Sequence, residues 1–376
     1  MREVSYKFRL YPTPAQSLLL NKHLELCRWV YNTTIACRKT LWTQERISLS
    51  RFGTHNLLPD WKKYKPELNE VYSQVLQEAQ KRVDVAYREF FRRIAAGEHP
   101  GYPRFRGFGR YNSITYPQYG HCGSVLLRDN GLRLSKIGLV KINIHREIPD
   151  SATIKTVTIK KEADRWYATF STERSSDTKK HKCGKGIVGI DLGCKTFLVL
   201  SDKKKVGNPK FISKALKRIA KANRKLSRQP RGTPERAKAR KVLSKIYQKI
   251  NNRRNDFLHK ESRKLVGKYE TLVFEDLHIK DMVREKPWHN LNRTILDSSW
   301  GQFVRFCSYK AEYAGGKVIK VNPKNTSKMC SKCGTIVDKD LSCRIHSCPH
   351  CGLTIDRDLN AALNILRLGQ QSLAKA

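Results

Sequence analysis

Two Cys-x-x-Cys pairs near the end of the chain constrain its fold more than any other feature. The first pair is Cys330 and Cys333, the second is Cys348 and Cys351, and residues 334–347 separate them. Each short turn points two sulfurs at one ion, so the two turns together complete a tetrahedral zinc shell with no position left for a substrate. The pattern therefore predicts one structural Zn²⁺ and places any chemistry elsewhere.

The charge of the chain predicts a polyanionic partner. Lys and Arg number 75 against 33 Asp and Glu, for a formal net charge of +42. Repulsion on this scale opposes folding, so we favour nucleic acid as the partner over the alternatives of a ribosome-type structural binder or a membrane-surface protein. No apolar stretch of about 18 residues and no signal peptide is recognisable, so we expect no membrane partner. The other cysteines follow no framework of spacings, and we expect reduced, mostly buried thiols in a cytosol.

The first half of the chain predicts a small β-barrel. Apolar and polar residues alternate over 4–10, which is typical of a half-buried strand. Asp129-Asn130-Gly131 predicts a hairpin turn between two further strands. The other strands of the predicted barrel lie at 125–127, 132–134, 140–142, 157–159 and 166–170.

Helices interrupt this predicted barrel. Thr13, followed by Pro and then by Gln16, has the pattern of a capping box, so we expect a helix from there to about Trp42. Apolar residues spaced by threes and fours predict a second helix over 76–94.

A loop after the second helix mixes aromatic residues with arginines. Tyr102 is followed by Arg104, Arg106 and Arg110, a mixture that suits stacking on bases and pairing with phosphates. The alternative is an aromatic loop that packs on the sheet.

The second half of the chain predicts an α/β domain with a one-sided basic hairpin. Strands are expected at 187–190, 197–200, 271–274 and 317–321. Two helices over 210–268 carry many basic residues and few acidic ones, which favours a nucleic-acid surface over a merely solvated face. Candidate contacts on this hairpin are Lys217, Arg224, Lys245 and Arg253.

Acidic residues stand at the ends of predicted elements in this half. Asp191 and Glu275 each follow a short apolar run, while Asp356 and Asp358 open the final helix. Residues at the ends of parallel strands converge on one edge of a sheet, and carboxylates brought together there suit Mg²⁺ or Mn²⁺. Two such ions can hydrolyse a phosphodiester, so the order strand-Asp, strand-Glu, helix-Asp indicates a nuclease of the RNase H type. Taken singly, each acid is equally well a helix cap or a surface ion pair.

These motifs resemble the TnpB proteins of bacterial and archaeal insertion sequences, which are related to type V CRISPR effectors. The resemblance rests on Gly-Ile-Asp191-Leu-Gly, Val-Phe-Glu275-Asp-Leu, the two cysteine turns and Asp356-Arg-Asp358-Leu-Asn-Ala-Ala362. The opening Arg9-Leu-Tyr-Pro-Thr-Pro and Arg28-Trp-Val-Tyr-Asn32 also match that family, so the likeness covers nearly the whole chain.

The resemblance implies an RNA-guided DNA endonuclease. Such a protein binds a guide RNA derived from the transposon end, recognises a short motif beside its double-stranded DNA target, and cuts at one RuvC site. The implied catalytic residues are Asp191, Glu275 and Asp358 with Mg²⁺ or Mn²⁺, two ions in all, and Asp356 is held in reserve. We expect one protein per guide RNA, in a bacterial or archaeal cytoplasm near the nucleoid. Amide and lysine side chains read base edges, so the candidate readers of the adjacent motif are Gln74, Gln77 and Lys81.

The implied fold is α/β and β multidomain, with a RuvC-type RNase H-like domain that carries a zinc-ribbon insertion. A β-barrel wedge domain with a helical recognition insertion precedes it. The expected boundaries are 1–12 plus 97–180 for the wedge, 13–96 for the recognition domain, 181–325 plus 354–368 for the RuvC-like domain, 326–353 for the zinc ribbon, and 369–376 for a flexible tail.

Two alternatives stay open at this point. One alternative is a non-cleaving RNA-guided DNA-binding protein. The other is a plain nucleic-acid-binding or transposition accessory protein. A single-strand transposase is disfavoured because no His-x-His pair occurs. Within the zinc module, His346, His350 or Cys343 is an alternative to one of the four cysteine ligands.

Overall fold

The structure is a computed structural model that divides into two compact units, Met1–Ser176 and Asp177–Ala376. Each unit has a hydrophobic core of its own. The residues that the structure describes are 2–120, 123–128, 131–174, 182–284, 289–338, 340 and 343–374.

A seven-stranded antiparallel sheet forms one layer of the first unit. In space its order is β2-β6-β7-β1-β5-β4-β3, and among the described residues the edge strands β2 and β3 do not pair with each other. The sheet is therefore a half-barrel, where the sequence predicted a barrel. The predicted hairpin is present, although its turn residues Asp129 and Asn130 lie outside the described residues. The strands are β1 (Arg2–Tyr11), β2 (Ser113–Tyr116), β3 (Val125–Arg128), β4 (Gly131–Leu134), β5 (Gly138–Asn143), β6 (Ala152–Glu162) and β7 (Arg165–Arg174).

Helices between the first two strands pack on this sheet. The predicted capping box is present, since the Thr13 hydroxyl accepts the Gln16 N–H and the Gln16 side chain accepts the Thr13 N–H. The second predicted helix buries Leu76 and Val83 as expected, but Ile94 at its end is exposed. The helices are α1 (Pro14–Glu45), α2 (Arg51–Asn56), α3 (Leu58–Tyr64) and α4 (Ser73–Ala95), with a 3₁₀ turn at Pro66–Glu70.

The second unit contains a mixed five-stranded sheet. Its order is β10-β9-β8-β11-β12, in which the first three strands are antiparallel and β11 runs parallel to both β8 and β12. The short edge strand β10 has no counterpart in the sequence predictions. The strands are β8 (Ile187–Leu192), β9 (Thr196–Leu200), β10 (Lys205–Gly207), β11 (Thr271–Glu275) and β12 (Lys317–Val321), and a separate two-stranded ribbon is formed by β13 (Ile345–Ser347) and β14 (Thr354–Asp356).

Six helices belong to the described part of the second unit. The basic hairpin is formed by the first two, as predicted, while the third to fifth were not predicted. The last helix reaches Ala374, so residues 369–374 are helical and the expected flexible tail is wrong there. No helix in the described ranges has the length and apolar character needed to cross a bilayer. The helices are α5 (Phe211–Ser227), α6 (Pro234–Lys268), α7 (Ile279–Arg284), α8 (His289–Ser298), α9 (Trp300–Ala314) and α10 (Arg357–Ala374).

Helix α10 approaches strand β8 so closely that only glycine fits at the contact. A Cβ added at Gly189 would lie 2.2 Å from the Ala362 carbonyl oxygen and 2.5 Å from the Leu366 nitrogen, which are backbone atoms of α10. The neighbouring helix residue Ile365 is fully buried against the sheet. This contact sets the start of α10 beside the end of β8.

We predict that Gly189→Ala destabilises the second unit by about 1–3 kcal/mol, the usual cost of overpacking a filled core. The clash is with backbone atoms, which cannot swing away as the tip of a flexible side chain does. Urea unfolding of the full chain, compared with wild type, measures the loss.

Gly267→Ala is the matched control for this measurement. Gly267 lies in α6, and a Cβ there would meet nothing within 4 Å. Because alanine is the better helix former, its stability should be unchanged or raised by up to about 1 kcal/mol. Equal unfolding midpoints for Gly189→Ala and wild type would contradict the close-packing account.

Candidate functional site

Asp191, Glu275 and Asp358 meet at one edge of the second sheet, and we call them the carboxylate cluster. Asp191 is the last residue but one of β8, and Glu275 is the last residue of β11. These two strands are parallel neighbours with Phe274 opposite Ile190, so their carboxyl ends lie at the same edge. Asp358 belongs to the first turn of α10, the helix that packs on β8.

Burial and neighbouring charges shift the pKa values of two members of the carboxylate cluster. Burial, followed by repulsion from Glu275 and then from Asp358, raises the pKa of Asp191 to about 8, against a smaller opposing effect of Arg357. Burial also raises the pKa of Glu275, and the hydrogen bond donated by the Thr326 hydroxyl opposes that rise. Carboxyl groups held together with this much repulsion are a common mark of a functional site.

Two arginines lie near the third carboxylate. The Arg344 guanidinium is 3.7 Å from Asp358 Oδ1, and that of Arg357 is 3.9 Å from the same atom. Arg344 precedes β13, so the two-stranded ribbon contributes directly to the surroundings of Asp358.

Asp356 caps the helix that carries Asp358. Its Oδ1 accepts the backbone N–H groups of Asp358 and Leu359 at 3.0 and 3.1 Å, and its Oδ2 accepts Lys205 Nζ at 2.7 Å. Burial by itself would raise the pKa of Asp356, but the bond from Lys205 and those from the two N–H groups outweigh it and hold that pKa below its usual value. Both carboxylate oxygens of Asp356 are therefore engaged, and Asp358 is the better candidate for the third acid.

Cys330, Cys333, Cys348 and Cys351 form the cysteine cluster. Cys330 and Cys351 have their sulfurs 3.6 Å apart, as do Cys333 and Cys348, and all four sulfurs lie within 4.8 Å of one another. Four sulfurs at about 2.3 Å from one tetrahedral Zn²⁺ lie about 3.8 Å apart, so the donor set fits zinc.

The alternative zinc ligands are not part of this cluster. Among the described residues, the cysteine cluster is the group of three or more His, Cys, Asp or Glu side chains whose ligand atoms all lie within 4.8 Å. Cys343 is exposed and directs its thiol to the Ile345 carbonyl oxygen, and neither His346 nor His350 belongs to the group.

The candidate base-reading residues on α4 are only half accessible. Gln74 and Gln77 are half-buried, and Oε1 of Gln74 is enclosed without a hydrogen-bond partner among the described residues. Lys81 is half-buried too and pairs with Glu78 at 2.9 Å.

Residues of the aromatic loop divide between packing and exposure. Tyr102 hydrogen-bonds to the Tyr87 hydroxyl at 2.7 Å and contacts the Tyr87 ring edge-on, so it packs on α4 and not on the sheet. Arg104, Arg106 and Arg110 are exposed, and the backbone of Arg106 is held by the Asn32 side chain.

The basic hairpin presents its candidate contacts to solvent. Lys217 and Arg224 on α5 are exposed, as are Lys245 and Arg253 on α6, while Ile219 and Ile250 are buried. The predicted division into a packed face and a basic face therefore describes this hairpin well.

Sequence reasoning missed several residues that support the two clusters. Thr326 donates to Glu275, and the amides of Asn360 and Asn364 bind the backbone of residues 326–331. One signal was available: two asparagines four residues apart lie on the buried face of an otherwise apolar helix. The role of Thr326 carried no comparable signal.

Family models match three parts of the chain. The model described as "Cas12f1-like, TNB domain" matches residues 300–365, which include the cysteine cluster. The model described as "Probable transposase" matches 169–286, which include Asp191 and Glu275. A model described as "Helix-turn-helix domain" matches 1–46, where the structure has one strand followed by one long helix.

Among solved structures, the chain is similar to a Cas12f1 protein described in a cryo-EM Cas12f1-sgRNA-target DNA complex. The TM-score is 0.54 at 14% identity, over 93% of this chain and 82% of that one. At this identity the likeness shows a shared fold: a mixed α/β protein with a half-barrel sheet and a four-cysteine cluster.

Curated relatives then identify the family. A protein of Streptomyces pristinaespiralis named "Putative RNA-guided DNA endonuclease" is 32% identical over 89% of this chain and 81% of its own length. One of Escherichia coli (strain K12) named "Putative RNA-guided DNA endonuclease InsQ" is 30% identical over 98% of this chain and 93% of its own length. The chain belongs to the TnpB family of insertion-sequence proteins, as its motifs indicated.

We predict that the purified protein carries one zinc per chain and that Cys348→Ser loses most of it. A buried thiolate ligand is replaced by a hydroxyl that binds zinc poorly, and the metal supplies folding free energy to so small a module. Elemental mass spectrometry of the two proteins measures the content.

Cys343→Ser is the control for that experiment. Cys343 lies in the same module but outside the cysteine cluster, so its replacement should leave the zinc content at the wild-type level. Equal zinc loss in both variants, or a zinc-free wild type, would show that the ligand set is wrong.

A second prediction separates the capping role of Asp356 from metal binding. Asp356→Ala should lower the free energy of unfolding by about 1 kcal/mol, because two helix N–H groups lose their acceptor. Asp356→Asn should keep a free energy of unfolding near that of wild type, since an amide oxygen accepts the same two N–H groups. Urea unfolding of both variants tests this, and equal destabilisation by Asn and Ala would contradict the cap.

Proposed function

We propose that this chain is an RNA-guided DNA endonuclease that cuts with Asp191, Glu275 and Asp358. The observation that carries the proposal is their convergence at one sheet edge, in a chain whose relatives bear that name. The chain has a formal net charge of +42. A protein that holds nucleic acid by the phosphate backbone of that nucleic acid needs many positive charges.

The second unit is the proposed RuvC-type RNase H-like domain, over 181–325 and 354–368, with the zinc ribbon at 326–353 inserted before its last helix. Acids at the carboxyl ends of neighbouring parallel strands support this assignment. In the first unit, the half-barrel sheet is the proposed wedge and the helices within 13–96 the proposed recognition domain.

The carboxylate cluster would hold Mg²⁺ or Mn²⁺. The donor set fits, because hard carboxylate oxygens suit these ions and a divalent cation would relieve the repulsion that raises the pKa of Asp191. We propose two ions, as the resemblance to the TnpB family implies. When bound, the ions supply activation of a water and stabilisation of the leaving 3′-oxygen.

The protein's own side chains orient this centre and hold the substrate. Asp356 fixes the first turn of α10 and so the position of Asp358, while Thr326 restrains Glu275. Arg344 lies within 3.7 Å of Asp358, where its charge offsets part of the carboxylate repulsion and is available to a DNA phosphate.

The guide RNA and its target are assigned to the exposed basic surfaces. The hairpin residues Lys217, Arg224, Lys245 and Arg253 and the loop residues Arg104, Arg106 and Arg110 suit phosphate contacts along a heteroduplex. Gln74, Gln77 and Lys81 stay our proposal for reading the motif beside the target, although their partial burial requires some rearrangement to reach a base.

We further propose that the guide RNA derives from the transposon end and that one protein binds each guide. We also propose that the protein acts in a bacterial or archaeal cytoplasm, next to the nucleoid. A non-cleaving RNA-guided binder is the second candidate, and the three acids in one cluster argue against it.

We predict that the protein, purified with its co-expressed RNA, cuts a matched plasmid in the presence of Mg²⁺. The plasmid carries a randomised flank, so that sequencing of the cut products reveals the adjacent motif. Asp191→Ala, Glu275→Ala and Asp358→Ala should each lower the cleavage rate by more than about 100-fold, because even outer-shell partners of a metal cost 10–100-fold.

Asp276→Asn is the matched control in this assay. Asp276 follows Glu275 directly, but its exposed side chain pairs with Lys320 at 2.8 Å, so this variant should cut like wild type. Wild-type rates in the Asp191→Ala protein would refute the assigned centre. Guided binding without cleavage would favour the second candidate, and the absence of any bound RNA would refute guidance.

A further inference from the structure

Residues 326–331, here called the strap, connect the carboxylate cluster to the cysteine cluster. At one end, the Thr326 hydroxyl lies 2.5 Å from Glu275 Oε1 and 3.0 Å from the Pro323 carbonyl oxygen. A hydroxyl has one proton to donate, and the ionised carboxylate is the stronger acceptor. Near its other end the strap contains Cys330, which is fully buried. Thr326 itself is 2% exposed.

Two buried amides bind the strap to helix α10. Asn360 donates to the Met329 carbonyl oxygen at 2.7 Å and accepts the Ser331 N–H at 2.9 Å. Asn364 donates to the carbonyl oxygens of Met329 and Thr326 at 2.6 and 2.9 Å. Both asparagines are fully buried, so loss of these partners would leave polar groups unsatisfied in the interior. The strap is thereby held along two turns of the helix that begins beside Asp358.

The strap links Glu275, helix α10 and the cysteine cluster. Glu275 lies on β11 and Asp358 on α10, and the strap is hydrogen-bonded to both elements while its own end belongs to a metal-binding turn. Without metal, the cysteine turn would lose the free energy that stabilises its conformation. Glu275 would then lose the hydroxyl that restrains its rotation. Outer-shell hydrogen bonds of this kind orient metal-binding carboxylates.

We propose that the strap makes the carboxylate cluster depend on metal at the cysteine cluster. Thr326 is the positioning residue for Glu275, and Asn360 and Asn364 anchor the strap to the helix of Asp358. The proposal rests on the nuclease function proposed above. It concerns the binding of divalent ions, so it is measurable apart from cleavage.

Thr326→Val is the central test, because valine keeps the shape of threonine and replaces only its hydroxyl by a methyl group. The RNA-bound, zinc-loaded protein is titrated with Mn²⁺ beside the same complex carrying Asp191→Ala, and free Mn²⁺ is followed by electron paramagnetic resonance. The difference between the two titrations gives the Mn²⁺ held by the carboxylate cluster apart from that held by RNA phosphates. We expect the dissociation constant for Mn²⁺ to rise about 10- to 100-fold. Thr326→Ser restores the hydroxyl and should return the constant to near the wild-type value, and cleavage by Thr326→Val should recover as Mn²⁺ is raised.

Thr294→Val is the matched control. The Thr294 hydroxyl bonds back to the Asn290 carbonyl oxygen of its own helix and touches neither cluster in the described contacts. Its variant should bind Mn²⁺ as wild type does. Equal Mn²⁺ affinity for Thr326→Val and wild type, with wild type active, would overturn this inference alone. A wild type that neither binds Mn²⁺ nor cuts would overturn the proposed function as well.

A double-variant cycle tests whether the effect passes through the strap. Cys333→Ser weakens the cysteine cluster at an exposed ligand, and it too should raise the Mn²⁺ dissociation constant. If both changes act by releasing Glu275, the double variant should show about the loss of the larger single change and not their product. Multiplying losses would show two independent effects and contradict the link.

Discussion

The close contact between α10 and β8 is the constraint on which the second unit depends. Gly189 allows the helix backbone to lie where any side chain would collide with the Ala362 carbonyl. Two residues further along the same strand comes Asp191, and the first turn of the same helix carries Asp358. A shift of the helix along the strand would separate these acids, so a close contact between two backbones determines the spacing of charged groups.

That spacing has an electrostatic cost. Burial and mutual repulsion disfavour the charged form of Asp191, and burial does the same for Glu275. The surrounding core stabilises the fold enough to hold like charges together, which is the usual relation between a functional site and its scaffold. Arg344, Arg357 and the Thr326 hydroxyl offset part of the cost, and divalent ions would offset more. The four thiols of the cysteine cluster would complete a zinc shell with no open position, so we propose that this cluster supports the carboxylate cluster.

Much of the fold was predictable because its signals are local. The capping box at Thr13 depends on residues three apart, and β1 follows from strict alternation. Helices α7, α8 and α9 and the edge strand β10 escaped prediction, and α7 and β10 are too short to show a period of apolar residues. Tyr102 was predicted to contact nucleic acid, with packing on the sheet as the alternative, and the structure packs it on α4 because its hydroxyl and its ring edge meet Tyr87 there.

The sequence by itself determined the residue types that chemistry requires: four thiols in paired turns, acids after apolar runs, and a large excess of positive charge. Only the tertiary structure decided which of them lie together. Asp356 and Asp358 are nearly adjacent in sequence, yet one caps a helix and the other faces the carboxylate cluster, because a helix turns its first residues in different directions. Thr326, Asn360 and Asn364 gain their roles from groups far away along the chain, including backbone carbonyls that no side-chain pattern reveals.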